Sequence, residues 1–100
     1  MKKVNFAVEV LGLDGQPIMD ENGDFVKIST NLANAMVQIK ATDSIRNNDV
    51  AKDIYYSTGE MDIEEADFAM IEKAIPQIGF NSLIEGQLKK IINKAKTKKE

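Results

Sequence analysis

The sequence predicts an α+β fold: a small N-terminal antiparallel β-hairpin or three-stranded sheet packed on about four short helices. Three observations carry that expectation. Apolar residues alternate over residues 4–13, the period of a strand, whereas from Leu32 onward they recur at three- and four-residue spacings, the period of a helix. Turn residues cluster before residue 30, while cap and stop residues punctuate the remainder. Finally, 100 residues with 43% hydrophobic and 29% charged side chains suffice for one compact core and not for two. Residues 1–96 are expected to form that domain and residues 97–100 a flexible basic tail.

In the first segment Val4, Phe6, Val8 and Val10 share one face and Asn5, Ala7 and Glu9 the other, as in a half-buried strand. Asp14-Gly15-Gln16-Pro17 reads as a turn, Pro17 lacking a ladder donor. Short strands at 18–20 and 25–28 would flank Asn22-Gly23, a pair that tolerates the positive φ angles of a type I′ turn. The same stretch contains part of an EF-hand calcium loop. With Gly23 at the sixth loop position, however, the first and twelfth become Ile18 and Ser29, and neither is a carboxylate. A hairpin turn is therefore expected, with no metal and no cofactor.

Ser29 or Thr30 offers a cap for a first helix that buries Leu32, Ala33, Met36 and Ile39 and ends near Lys40. A second helix should open at Asp43 or Ser44, run to about Ser57 and stop at Gly59 in the left-handed conformation. It would bury Val50, Ala51, Ile54 and the edge of Tyr55. Tyr56 lies nearly opposite that face, so it either rests under the hairpin or a loop or contacts a partner. Asp62-Ile63-Glu64-Glu65 has the spacing of a capping box, opening a third helix with Phe68, Ile71, Ala74, Ile75 and Ile78 inward and Pro76 as its end. The last helix, from Asn81 or Ser82, carries Ile84, Leu88, Ile91, Ile92 and Ala95 on one stripe. No internal repeat is evident.

The residue types exclude several mechanisms. Without Cys or His there is no Cys/His zinc site, no Ser-His or Cys-His nucleophile and no redox dithiol. Asp62, Glu64, Glu65 and Asp67 are the residues that acid–base or magnesium chemistry would use, but their spacing is that of a helix start, and no catalytic residue is assigned. Charge is unevenly distributed: residues 89–100 carry a net of about +5 and the rest about −8. Lys89, Lys90 and Lys94 are thus candidate anion contacts, yet an acidic body with few aromatic rings argues against nucleic acid as a partner. No apolar run approaches a membrane span, and the N-terminus is too polar for a signal peptide. A cytoplasmic location follows as the expectation. Tyr56, Ile84 and Leu88 are the candidate contacts for a protein partner, a second copy of the chain included.

The run "LDGQPIMDENGDFVKISTNLANAMVQ", followed by "AKDIYYSTGEMDIEEADFAMIEKAI", resembles a group of small proteins encoded by bacteriophages and prophages. They share a hairpin start, an "LAN" helix and a Tyr-x-x-Gly-x-x-Asp junction, here Tyr56 to Asp62. The resemblance implies a phage or mobile-element origin and action inside a bacterial cell, and it carries over no catalytic residue. The expected function is that of a non-enzymatic accessory protein working by protein–protein interaction, on host machinery or in self-assembly. Two alternatives belong to other classes: sequestration of a small nucleotide signal, which needs a pocket with convergent cations, and DNA binding through the lysine-rich helix.

Overall fold

A computed structural model describes residues 1–97. The expected α+β architecture is present, with elements in the order β1 (Lys2–Val4), α1 (Ile28–Met36), α2 (Ser44–Tyr55), β2 (Met61–Ile63), α3 (Glu65–Ile78) and α4 (Ser82–Thr97). β1 and β2 form a two-stranded antiparallel sheet in which Lys2 faces Ile63 and Val4 faces Met61. Strand alternation sends Val4 and Ile63 into the core and leaves Lys3 and Asp62 opposite each other outside, where their charged ends meet at 2.9 Å. Asp62 is therefore a strand residue and not a helix cap. The N-cap of α3 is Glu64, whose side chain makes no capping bond.

The half-buried strand expected over residues 4–13 is regular only in β1, and the strands expected at 18–20 and 25–28 shrink to single bridges. Residues 8–28 instead form a closed triangle of three short segments. Val10 N–H donates to the Val26 carbonyl (2.8 Å), Val26 N–H to Ile18 (2.9 Å) and Ile18 N–H to Val10 (2.9 Å). Each segment makes one antiparallel bridge with each of the others: Glu9 with Lys27, Leu11 with Pro17, Met19 with Phe25. Closure satisfies the inward backbone groups of segments too short to make a stable open hairpin. It also places Val10, Ile18 and Val26, eight residues apart, against the core. The bonds flanking the Leu11–Pro17 pair are made by Gly12 and Ile18, so the donor that Pro17 lacks is not needed.

The two turns of the triangle share one geometry, which makes them a repeat in space. Gly15 and Gly23 each donate N–H to a carbonyl three residues back and each take a positive φ, 80° and 84°. Asn22 does not, so this is a type I turn followed by a left-handed glycine and not the expected type I′ turn. The cause is Asp20, whose carboxylate accepts the N–H groups of both Asn22 and Asp24 and thereby fixes the turn from its first residue. In the other turn Asp14 stands at the third position, and its carboxylate accepts Gln16 N–H. Gln87 of α4 then anchors the triangle: its side-chain amide donates to the Glu9 carbonyl (2.7 Å) and accepts from Leu11 N–H (3.0 Å), as a neighboring strand would.

The helices follow their apolar stripes more closely than their expected stop signals. α1 starts at Ile28 behind Lys27, which makes no side-chain cap, and Ser29 is buried within the first turn. It ends at Met36, leaving Ile39 in the connector. α2 is capped by Asp43, whose carboxylate accepts Arg46 N–H at 3.0 Å. Its end is closed by Ser57, which donates both N–H and hydroxyl to the Ile54 carbonyl; Gly59 is not left-handed. α3 passes through Pro76 to Ile78 because Ile75 and Ile78 continue its apolar stripe, and Gly79 (φ 74°) terminates it. Asn81 caps α4 by accepting Ile84 N–H. Of the expected basic tail, Thr97 ends α4 and residues 98–100 lie outside the described residues. Phe6, Ile28, Leu32, Met36, Ile54, Ile71 and Leu88 form the fully buried center.

A β-branched residue at a left-handed position tests the turn geometry. A Cβ added at Gly23 or at Gly59 meets no atom within 4 Å, but only Gly23 has a positive φ. Gly23→Val is expected to cost about 1–3 kcal/mol in urea unfolding through backbone strain alone. Gly59→Val should stay within about 0.5 kcal/mol of the parent.

Candidate functional site

Two grooves flank one buried contact between α1 and α2. The last carbonyls of any helix lack partners within it, and Asn47 of α2, only 2% exposed, supplies one: its Nδ2 donates to the Met36 carbonyl at 2.9 Å. Hydrogen bonding is the reason an amide sits in this otherwise apolar interface of Leu32, Met36, Val50 and Ala51.

The first groove, about 240 Å³, runs between the exposed sides of α1 and α2 and is lined by Ala33, Val37, Asn48, Lys52, Tyr55 and Tyr56. Tyr56 is 70% exposed and Tyr55 45%, with ring centroids 5.1 Å apart in an edge-to-face arrangement. Tyr56 is therefore covered by neither the hairpin nor a loop. Tyr55, expected to tuck its edge into the core, joins it at the surface, and Val37 lies exposed beside them. The adjacent pair carried a signal of its own, since consecutive residues of a helix stand about 100° apart and cannot both be buried on one narrow stripe.

The second groove, about 340 Å³, separates the connector after α1 from α3; Ile39, Lys40, Asp43, Asn47, Met70 and Lys73 line it.

The other expected contacts are placed less favorably. Leu88 is fully buried in the chain's own core and Ile84 packs half-buried against it, so the apolar stripe of α4 is already covered. Lys89 lies 3.6 Å from Glu85. Lys90 and Lys94 line different grooves, the former beside Leu11 and Leu83, the latter beside Glu60 and Ile91. The three lysines expected to hold an anion thus do not converge.

The acidic residues at the start of α3 are divided among three cationic groups. Asp62 pairs with Lys3, and Glu65 lies 3.8 Å from the N-terminal amino group. Asp67, nearly buried, receives a two-pronged ion pair from Arg46, Nε at 2.9 Å to one oxygen and Nη2 to the other, with Glu64 at 3.8 Å from the same guanidinium. The hydrogen bond to Asp67, and then its charge, raise the Arg46 pKa well above its ordinary value. Arg46 had no sequence signal, because its partner lies 21 positions away on another helix. Among the described residues no helix is long and apolar enough to cross a membrane. Compared with protein-family models, curated proteins and solved structures, the chain matches none.

Removing Arg46 leaves the buried Asp67 carboxylate without its partner, which costs more than replacing both ends with apolar side chains. Arg46→Met is expected to lower the Tm, and Arg46→Met/Asp67→Leu to recover most of the loss. A single variant as stable as the parent in thermal unfolding would contradict a structural role for the pair.

Proposed function

We propose that the protein is a non-enzymatic phage or prophage accessory protein that binds a protein partner through the α1–α2 face carrying Tyr55 and Tyr56. One observation carries this reading: two tyrosines in edge-to-face contact stand exposed beside Val37, outside the buried core of the described residues. Tyrosine provides a large contact area at the cost of few rotatable bonds, and aromatic anchors dominate the centers of protein interfaces. Asn34, Asn48 and Lys52 give the groove the polar rim that such centers have. The occupant proposed is an apolar anchor side chain of the partner, with an acidic neighbor facing Lys52.

Binding is favored over catalysis because Asp62, Glu64, Glu65 and Asp67 are each held in an ion pair. Self-association through the α4 stripe loses its support once Leu88 is buried, and DNA binding through α4 is weakened by the pairing of Lys89 and Lys96 with Glu85 and Glu72. A bacterial cytoplasm as the setting rests on the phage resemblance alone.

Tagged wild-type protein and the Tyr55→Ala/Tyr56→Ala variant, expressed in the same bacterial cells, provide the test. The wild type is expected to retain one protein in near-stoichiometric amount and the variant at least tenfold less, the two having the same Tm. Retention of a second, untagged copy of the chain would identify the partner as the protein itself. Equal retention by both would remove the tyrosine face from the interaction.

A further inference from the structure

We infer that the groove between the α1–α2 connector and α3 is a binding site for a peptide carboxylate, with a peptide N–H donated to Asn47 Oδ1 and the carboxylate held between Lys40 and Lys73. The inference goes beyond the tyrosine face and uses none of its residues.

Asn47 supplies the first observation. A backbone carbonyl can only accept, so the contact with Met36 fixes Nδ2 inward and turns Oδ1 the other way. Oδ1 has no hydrogen-bond partner, yet no buried side-chain oxygen or nitrogen among the described residues is left unsatisfied. The oxygen must therefore be the small accessible part of this nearly buried residue, reaching the groove that Asn47 lines. The same groove is lined by the apolar Ile39, Ala69 and Met70. An acceptor lining such a groove favors a ligand that brings an N–H.

Charge supplies the second observation. Among the described residues Lys2, Lys27, Lys40, Lys52, Lys73 and Lys90 have no carboxylate partner, and of these six Lys40 and Lys73 stand together on this groove. Asp43 is the one acidic residue beside them, and its carboxylate is engaged at the start of α2. Two lysines against one aspartate leave a net of one positive charge, which suits a monoanion; a di- or triphosphate would meet too few cations and the Asp43 carboxylate besides. At about 340 Å³ the groove is at the small end of ligand sites. An N–H, one carboxylate and an apolar side chain together describe the end of a peptide, or an acidic residue within one.

The two sources are separated by titrating the full, ¹⁵N-labeled chain with three probes: N-acetyl-alanyl-leucine, its C-terminal amide, and N-acetyl-glutamate amide. At least one carboxylate-bearing probe is expected to shift the Asn47 side-chain amide resonances at millimolar concentration, while the C-terminal amide binds at least tenfold more weakly. A response to the dipeptide identifies a chain terminus, and a response to the glutamate probe alone identifies a side chain. Lys40→Glu and Lys73→Glu should each weaken binding at least tenfold without changing the Tm; Tyr56→Ala should change nothing. The inference is overturned if no probe shifts Asn47, if the amide binds as well as the acid, if the lysine variants bind normally, or if inorganic phosphate shifts the same resonances as strongly. Those outcomes leave the tyrosine face untouched, because none of its residues enters the measurement.

Discussion

The two grooves beside α2 depend on one buried hydrogen bond, from the Asn47 side chain to the Met36 carbonyl. α1 has only nine residues and no side-chain cap at its start, and a helix that short holds its place through tertiary contacts. Asn47 ties its last turn to α2 at the point where the chain leaves α1. The spacing of the two helices, and with it the groove beneath the tyrosines, is set by this tie. The same amide has a second end, and a donor fixed inward leaves an acceptor facing outward. A structural requirement at the end of α1 thus produces a polar atom in the lining of the second groove.

The N-terminal third answers a different constraint. Its segments are too short to pair as an open sheet, and closing them into a triangle satisfies their backbone without exposing a long strand edge. Gln87 completes the closure from α4, and this determines what α4 can do. With its stripe from Ile84 to Ala95 on the core and its glutamine on the triangle, α4 keeps Leu83 as its exposed apolar residue among those described. On α1 and α2, by contrast, Tyr55 and Tyr56 with the adjoining Val37 stand exposed among the described residues.

Elements whose signals are local were legible in the sequence. Asp43 and Asn81 cap the helices they precede, and the stripe from Ile84 to Ala95 lies on the inner side of α4. The alternation of Val4, Phe6 and Val10 correctly identified buried residues even where no regular strand forms. Failures occurred where a distant partner decides the outcome. Asp62 has the right spacing for a cap, but Lys3, 59 positions away, makes it half of a cross-strand pair. Pro76 carries a local stop signal that Ile78 overrides by packing. Leu88 was legible as apolar and helical, while what it packs against was not. Of the candidate sites, Tyr56 could be read from its helical phase. Asn47 could not, since an asparagine inside a helix looks like a surface residue until the carbonyl it serves is known.

The most direct test of the central interaction is hydrogen exchange of the Asn47 side-chain amide, followed by NMR in the free protein. A donor held in a buried bond to Met36 should leave one of the two amide protons strongly protected, exchanging on the timescale of core backbone amides such as that of Ile54. Exchange of both protons at the rate of solvent-exposed asparagines would show that α1 and α2 are not joined there, and neither groove would then have the shape described.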